Sequence, residues 1–164
     1  MRFVGNVALG LGSAVMIAAA AQAIPAPAYV MKAGAGDLYE KRSSTIVLRT
    51  TRDPAVRRFA QMMIRDHTRS TAVVKAAAMR AGIRPGPVAM DGQQLRWLAD
   101  LRRAHGFDRD RLYLRQQREA HRDALQLHRD YADSGSVPSL RAAAARIVPV
   151  IRKHIDMLQA IRGR

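Results

Sequence analysis

The chain has 164 residues, 28 Lys and Arg against 13 Asp and Glu, a formal net charge of +15, and no cysteine. That length suits one domain, and the missing cysteines exclude disulfides, thiolate metal sites and cysteine nucleophiles. The charge permits contact with anionic lipid or acidic polymers, while the lack of a known motif and the small number of aromatic side chains argue against nucleic acid.

Arg2 gives a positive start, Val4 to Ala20 is almost entirely apolar or small, and Ala21, Gln22, Ala23 form an A-x-A cleavage site. This pattern predicts a secretory signal peptide over 1–23, cleaved after Ala23. The competing reading is an uncleaved anchor, since about twenty apolar residues can span a bilayer. No other stretch has that length and polarity, so no transmembrane span is expected after cleavage. Loss of Arg2 leaves 27 basic side chains against 13 acidic ones, a charge of +14, nearly all of the excess arginine.

Ile24 to Ala28, IPAPA, reads as a proline-rich lead-in, and the domain as 29–162. The first helix is expected from about Tyr29 to Thr50. Ala33, Gly36, Glu40, Ser43 and Val47 would make one inward face, and Leu38, Thr45 and Leu48 a competing one. Periodicity does not choose between them.

The second helix is bounded more sharply. Asp53 before Pro54 is an N-cap followed by a proline in the first turn. Val56, Phe59, Ala60, Met63, Ser70, Val74, Ala77 and Ala81 recur at helical spacing, and Gly82 is a C-cap candidate. His67 falls on that apolar stripe. The short turn before Asp53 makes helices one and two antiparallel neighbours.

IRPGPVAM after Gly82 is loop. Asp91 then starts a short helix, with Gln94 as capping-box partner and Leu95, Trp97, Leu98 and Leu101 on it. A third long helix is expected from Phe107 to about Ser134, with Leu114, His121, Ala124, Leu125 and His128 inward. After the Gly135–Pro138 break, a fourth carries Leu140, Ala144, Ile147, Ile151, His154, Leu158 and Ile161. Pro149 should bend it, because it removes one backbone bond.

No segment alternates with period two, so the expected fold class is all-α: a ferritin-like four-helix bundle with a long helix 2–3 crossover carrying a short extra helix. Helix two is roughly 43 Å long at 1.5 Å per residue. The connection over 83–107 can reach about 55–60 Å, so a full-length crossover is possible.

His67, His121 and His154 lie near mid-helix on three apolar stripes, and Glu40 near the middle of the first helix. In a bundle these four side chains would meet at one height, as candidate ligands for one divalent metal such as zinc or iron. Asp66 and Glu119 are acidic neighbours at spacings that point them elsewhere on the helix, so Asp66 is expected as a supporting carboxylate and not as a ligand. His128 belongs two turns away, and His105 to a loop. A di-iron carboxylate site needs Glu-x-x-His on two helices, but Ile64, Arg118 and Ile151 stand three residues before the histidines. No serine or carboxylate pair has recognisable catalytic spacing, so an enzyme is the least favoured class.

The segments GDLYEKRSS, DPAVRRFAQMMIRDHTRS, FDRDRLYLRQQREAHRDALQLHRDYA and ARIVPVIRKHIDML, in that order, resemble the exported bacterial ferritin-like family catalogued as domain of unknown function four-one-four-two. The resemblance covers about residues 28–162. It implies a ferritin-like bundle in the periplasm or cell envelope, with Glu40, Asp66, His67, His121 and His154 as motif positions and no reaction attached. Two readings follow. One is an exported bundle whose Glu/His cluster holds a divalent metal. The other is a cofactor-free envelope protein whose arginine surface meets anionic lipid or polysaccharide. Oligomeric state is not legible.

Overall fold

The computed structural model describes residues 24–162, and the expected signal peptide lies outside them. The described residues form five helices and no strand: α1 (Ala26–Leu48), α2 (Pro54–Arg80), α3 (Gly92–Arg103), α4 (Gly106–Ser134) and α5 (Pro138–Arg162). None of these helices is long and apolar enough to cross a membrane.

The helix ends follow from local chemistry. The Asp53 carboxylate accepts from the N–H groups of Ala55 (2.7 Å) and Val56 (3.2 Å), satisfying two of the free donors of α2. At the other end Gly82 takes a φ of +72°, which lets the Ile83 N–H reach the Ala78 carbonyl at 2.9 Å and close a Schellman turn. Asp91 and Gln94 make both bonds of the expected capping box. One boundary differs from expectation. IPAPA is not a lead-in, because α1 already begins at Ala26, with Pro25 at its N-cap and Pro27 in the first turn. Prolines there remove donors that no preceding carbonyl would have bonded. The last helix, α5, continues through Pro149.

Helices α1 with α2 and α4 with α5 form the two closest pairs, and α2 against α5 and α1 against α4 complete the bundle. Two separate apolar clusters reveal the direction of each helix. One joins the N-terminal half of α1 (Tyr29, Ala33), the C-terminal part of α2 (Val74, Ala78), Tyr131 of α4 and Leu140 to Ile151 of α5. The other joins Val47, Val56 to Met63, Tyr113 and Leu158, with Leu101 of α3. The C-terminal ends of α2 and α4 thus share one end of the bundle, so these helices run parallel. The crossover spans the full length of the bundle, as expected.

The crossover is held down as it passes. Val88 lies against α1 at Gly34, where an added Cβ would come within 2.9 Å of its side chain. Farther on, Trp97 of α3 packs against Tyr39, ring centroids 5.4 Å apart, and its carbonyl accepts from Gln116 of α4 at 3.2 Å.

Candidate metal centre

The two apolar clusters leave a polar layer between them, and the helices deliver the candidate residues into it. His67 lies between Met63 and Val74 on α2, and His154 between Ile151 and Leu158 on α5, so each sits where one cluster gives way to the other. His121 comes from α4 and Glu40 from α1. All four are buried, with exposures of 6% or less.

The structure brings the three histidines together. Their ring centroids are 5.7 Å (His67–His121), 5.6 Å (His67–His154) and 5.3 Å (His121–His154) apart. One ring nitrogen from each lies within 4.8 Å of the other two. Glu40 stands at the side: its Oε1 is 3.4 Å from Nδ1 of His121 and is not one of the clustered atoms. Asp66 reaches His154, Oδ2 to Nε2, at 3.0 Å.

Each imidazole is oriented by an acceptor on its outer side. His67 Nδ1 bonds the Asp37 carboxylate at 2.8 Å, His121 Nδ1 bonds the Gln117 carbonyl at 2.8 Å, and His154 Nε2 bonds Asp66. Carbonyl and carboxylate oxygens only accept, so these nitrogens carry the ring protons. A neutral imidazole has one N–H, so its other nitrogen holds a lone pair. The inner atoms are therefore His67 Nε2, His121 Nε2 and His154 Nδ1. His121 Nε2 and His154 Nδ1 face each other at 3.2 Å, two acceptors with no donor between them. His67 Nε2 and Glu40 Oε2 are buried and have no hydrogen-bond partner among the described residues.

Electrostatics keep two of the rings in the ligand form. Burial pushes the His121 pKa well below the ordinary value, helped by the charges of His67 and His154. Burial also lowers His154 to about 4, against the opposing bond from Asp66. For His67 burial acts downward, but the Asp37 bond and the charges of Glu40, Asp37 and Asp66 outweigh it and raise the pKa. Glu40 is raised to about 7, chiefly by burial and against the pull of His67.

Asp37 is the functional residue that sequence reasoning missed. It sits three residues before Glu40, on the same face of α1, and it fixes both the tautomer and the orientation of His67. Thr71 donates to its second oxygen at 2.9 Å. His128 is in the neighbouring layer, its Nδ1 2.9 Å from the Tyr29 hydroxyl, and His105 is exposed at the start of α4. Among the described residues no second group of three His, Asp or Glu side chains has comparable geometry.

The fold and this layer define a class: a four-helix bundle with a buried three-histidine centre, each ring held from outside by an acceptor. The profile for Domain of unknown function (DUF4142) matches residues 13–161, and the chain belongs to that family. No curated protein matches it. Solved structures share the fold, among them two DUF305 proteins. A DUF305 fragment from Deinococcus radiodurans superposes with a TM-score of 0.74 at 19% identity, covering 87% of this chain and 98% of that one. The "putative secreted protein DUF305" from Streptomyces coelicolor gives 0.69 at 16% identity, covering 84% and 91%.

Proposed function

We propose that this protein is an exported metal-binding bundle, with His67, His121 and His154 holding one divalent ion. The observation that carries this reading is the convergence of three inner ring nitrogens, two of them facing lone pairs 3.2 Å apart with no donor between them. Buried acceptors in that arrangement repel unless a proton or a cation lies between them. The residues fit the ion. Zinc–nitrogen bonds of about 2.0–2.1 Å in a tetrahedron place ligand nitrogens roughly 3.4 Å apart, close to the spacing of His121 and His154. The outer acceptors Asp37, Gln117 and Asp66 are the partners that metal-bound imidazoles ordinarily have. Neutral imidazole donors suit zinc, iron and copper(II). Three protein ligands leave a coordination position for an outside molecule, and Glu40, with its Oε2 unpartnered, lies beside His121 at the edge of the cluster.

Adding zinc to the metal-free protein should raise its melting temperature, because an ion that binds only the folded state stabilises it by mass action. His154→Ala should abolish most of the gain, and His105→Ala should keep it. An unchanged melting curve with zinc, iron(II), manganese and copper(II) would overturn the reading. Export is tested separately by N-terminal sequencing of the protein from the cell envelope. A chain beginning at Ile24 supports cleavage after Ala23, and Ala23→Leu should block it. A chain still beginning at Met1 would make the segment an anchor.

A further inference from the structure

A cavity of about 940 Å³ leads from the surface to the polar layer, bounded by α1, α2, α4, α5 and the start of α3. Its inner end is formed by Asp37, Glu40, His67 and His154. Its charge is the reverse of the rest of the molecule. Seven of the chain's thirteen acidic residues line it, and the one basic side chain among its described lining residues is Lys32, although the protein has 28 Lys and Arg. Four of the seven, Asp91, Asp123, Asp130 and Asp133, are exposed and therefore belong to its outer part. Arg122 and Arg129 share a neighbouring surface groove with Asp130 and Asp133 and do not line the cavity.

A random distribution of acids on so basic a protein would not leave this opening almost free of arginine. The walls include Trp97, Ile147 and Ile151, and a cleft of one charge sign between apolar walls focuses its field along the opening. At the inner end Glu40 Oε2 and His67 Nε2 are polar atoms more than nine-tenths buried that lack a partner.

We propose that this cavity is the entry route for the metal cation, with Asp91, Asp123, Asp130 and Asp133 steering it from solution to Glu40 and the three histidines. The cargo is then an exchangeable solution cation and not an ion locked in during folding. The proposal rests on the metal-binding reading above and adds the path and the charge class of what travels it. Net positive charge would otherwise slow the approach of any cation, and the acidic opening offsets that where it matters. Asp66 is not counted among the steering residues, because it holds His154.

The test is stopped-flow mixing of metal-free protein with Co²⁺, followed by visible absorbance. D91N/D123N/D130N removes three of the four steering charges of the opening, and Asn at position 91 keeps the helix cap. D100N/D108N/D156N removes the same charge from positions outside the cavity, Asp108 and Asp156 exposed and Asp100 half-buried. At about 20 mM salt the first variant should associate roughly three- to tenfold more slowly than wild type, and the second within about twofold of it. The gap should close near ~0.5 M salt, where the Debye length falls to a few Å. Lys32→Gln should act in the opposite direction and speed association, which keeps the test open should the triple variant not fold. Wild-type rates in D91N/D123N/D130N, or equal slowing in both triple variants, would overturn the proposal while leaving histidine-dependent binding intact. No Co²⁺ bound by wild type at equilibrium would remove the site reading and this proposal together.

Discussion

His128 gives a clean measure of what it costs this bundle to keep histidines neutral in its interior, because it lies outside the three-nitrogen cluster. Its side chain is 3% exposed, and its Nδ1 is 2.9 Å from the Tyr29 hydroxyl. Burial raises the Tyr29 pKa, so the phenol keeps its proton and donates it to Nδ1. The ring proton is therefore on Nε2. Burial lowers the His128 pKa from 6.5 to about 4, with Asp37 opposing and His67 reinforcing. The sign follows directly. Above pH 6.5 both folded and unfolded states hold a neutral ring, and the stability is fully present. As pH falls below 6.5 the unfolded chain takes up a proton that the folded chain refuses until about pH 4, so stability is lost across that window. By pH 4.5 the loss is roughly 2.5 kcal/mol, a large part of the ~5–15 kcal/mol that typically holds a domain together. His128→Asn keeps an acceptor near the position of Nδ1 and cannot titrate. Urea unfolding of metal-free protein at pH 7.5 and 4.5 should show the wild type losing about 2.5 kcal/mol more than the variant on acidification. His121 and His154 titrate in both proteins and cancel. Equal losses in the two would refute the reasoning.

Asp66→Ala should weaken zinc binding about 10- to 100-fold by freeing the tautomer of His154, read by isothermal titration calorimetry. Leu140→Ala, at a fully buried position in the α1/α2/α4/α5 cluster, should cost about 2–5 kcal/mol in urea unfolding without changing zinc stoichiometry. The zinc-dependent rise in melting temperature should shrink below about pH 6, where protons compete for the imidazoles. The arginine surface outside the cavity should give only weak retention on anionic vesicles. Strong retention at low salt that falls steeply toward physiological salt would favour the envelope-binding reading.

Helices α2 and α5 were legible because their buried faces are apolar: Val56, Phe59, Met63 and Val74 on one, Leu140, Ile147, Ile151 and Leu158 on the other. A histidine interrupting such a stripe stands out, and this is how His67 and His154 could be found. The first helix resisted because its buried face is polar. Asp37, Glu40, Ser43 and Ser44 all point inward, and the large buried groups beside them are the tyrosines at 29 and 39. Hydroxyls and carboxylates on a core face erase the contrast that periodicity needs. They are tolerated because they find partners: Ser44 meets the Tyr113 hydroxyl at 2.8 Å, and Tyr39 donates to Gln116 at 3.0 Å. For the same reason Asp37 was invisible, since an aspartate on a helix is ordinarily a solvated residue. The Gln117 carbonyl that orients His121 could not have been read at all, being a backbone atom.

Anomalous diffraction from crystals of the zinc-loaded protein tests the central claim most directly. The account predicts one strong peak about 2.0–2.1 Å from each of His67 Nε2, His121 Nε2 and His154 Nδ1. A peak elsewhere, at exposed His105 or among the outer aspartates, with none between the three rings, would contradict it.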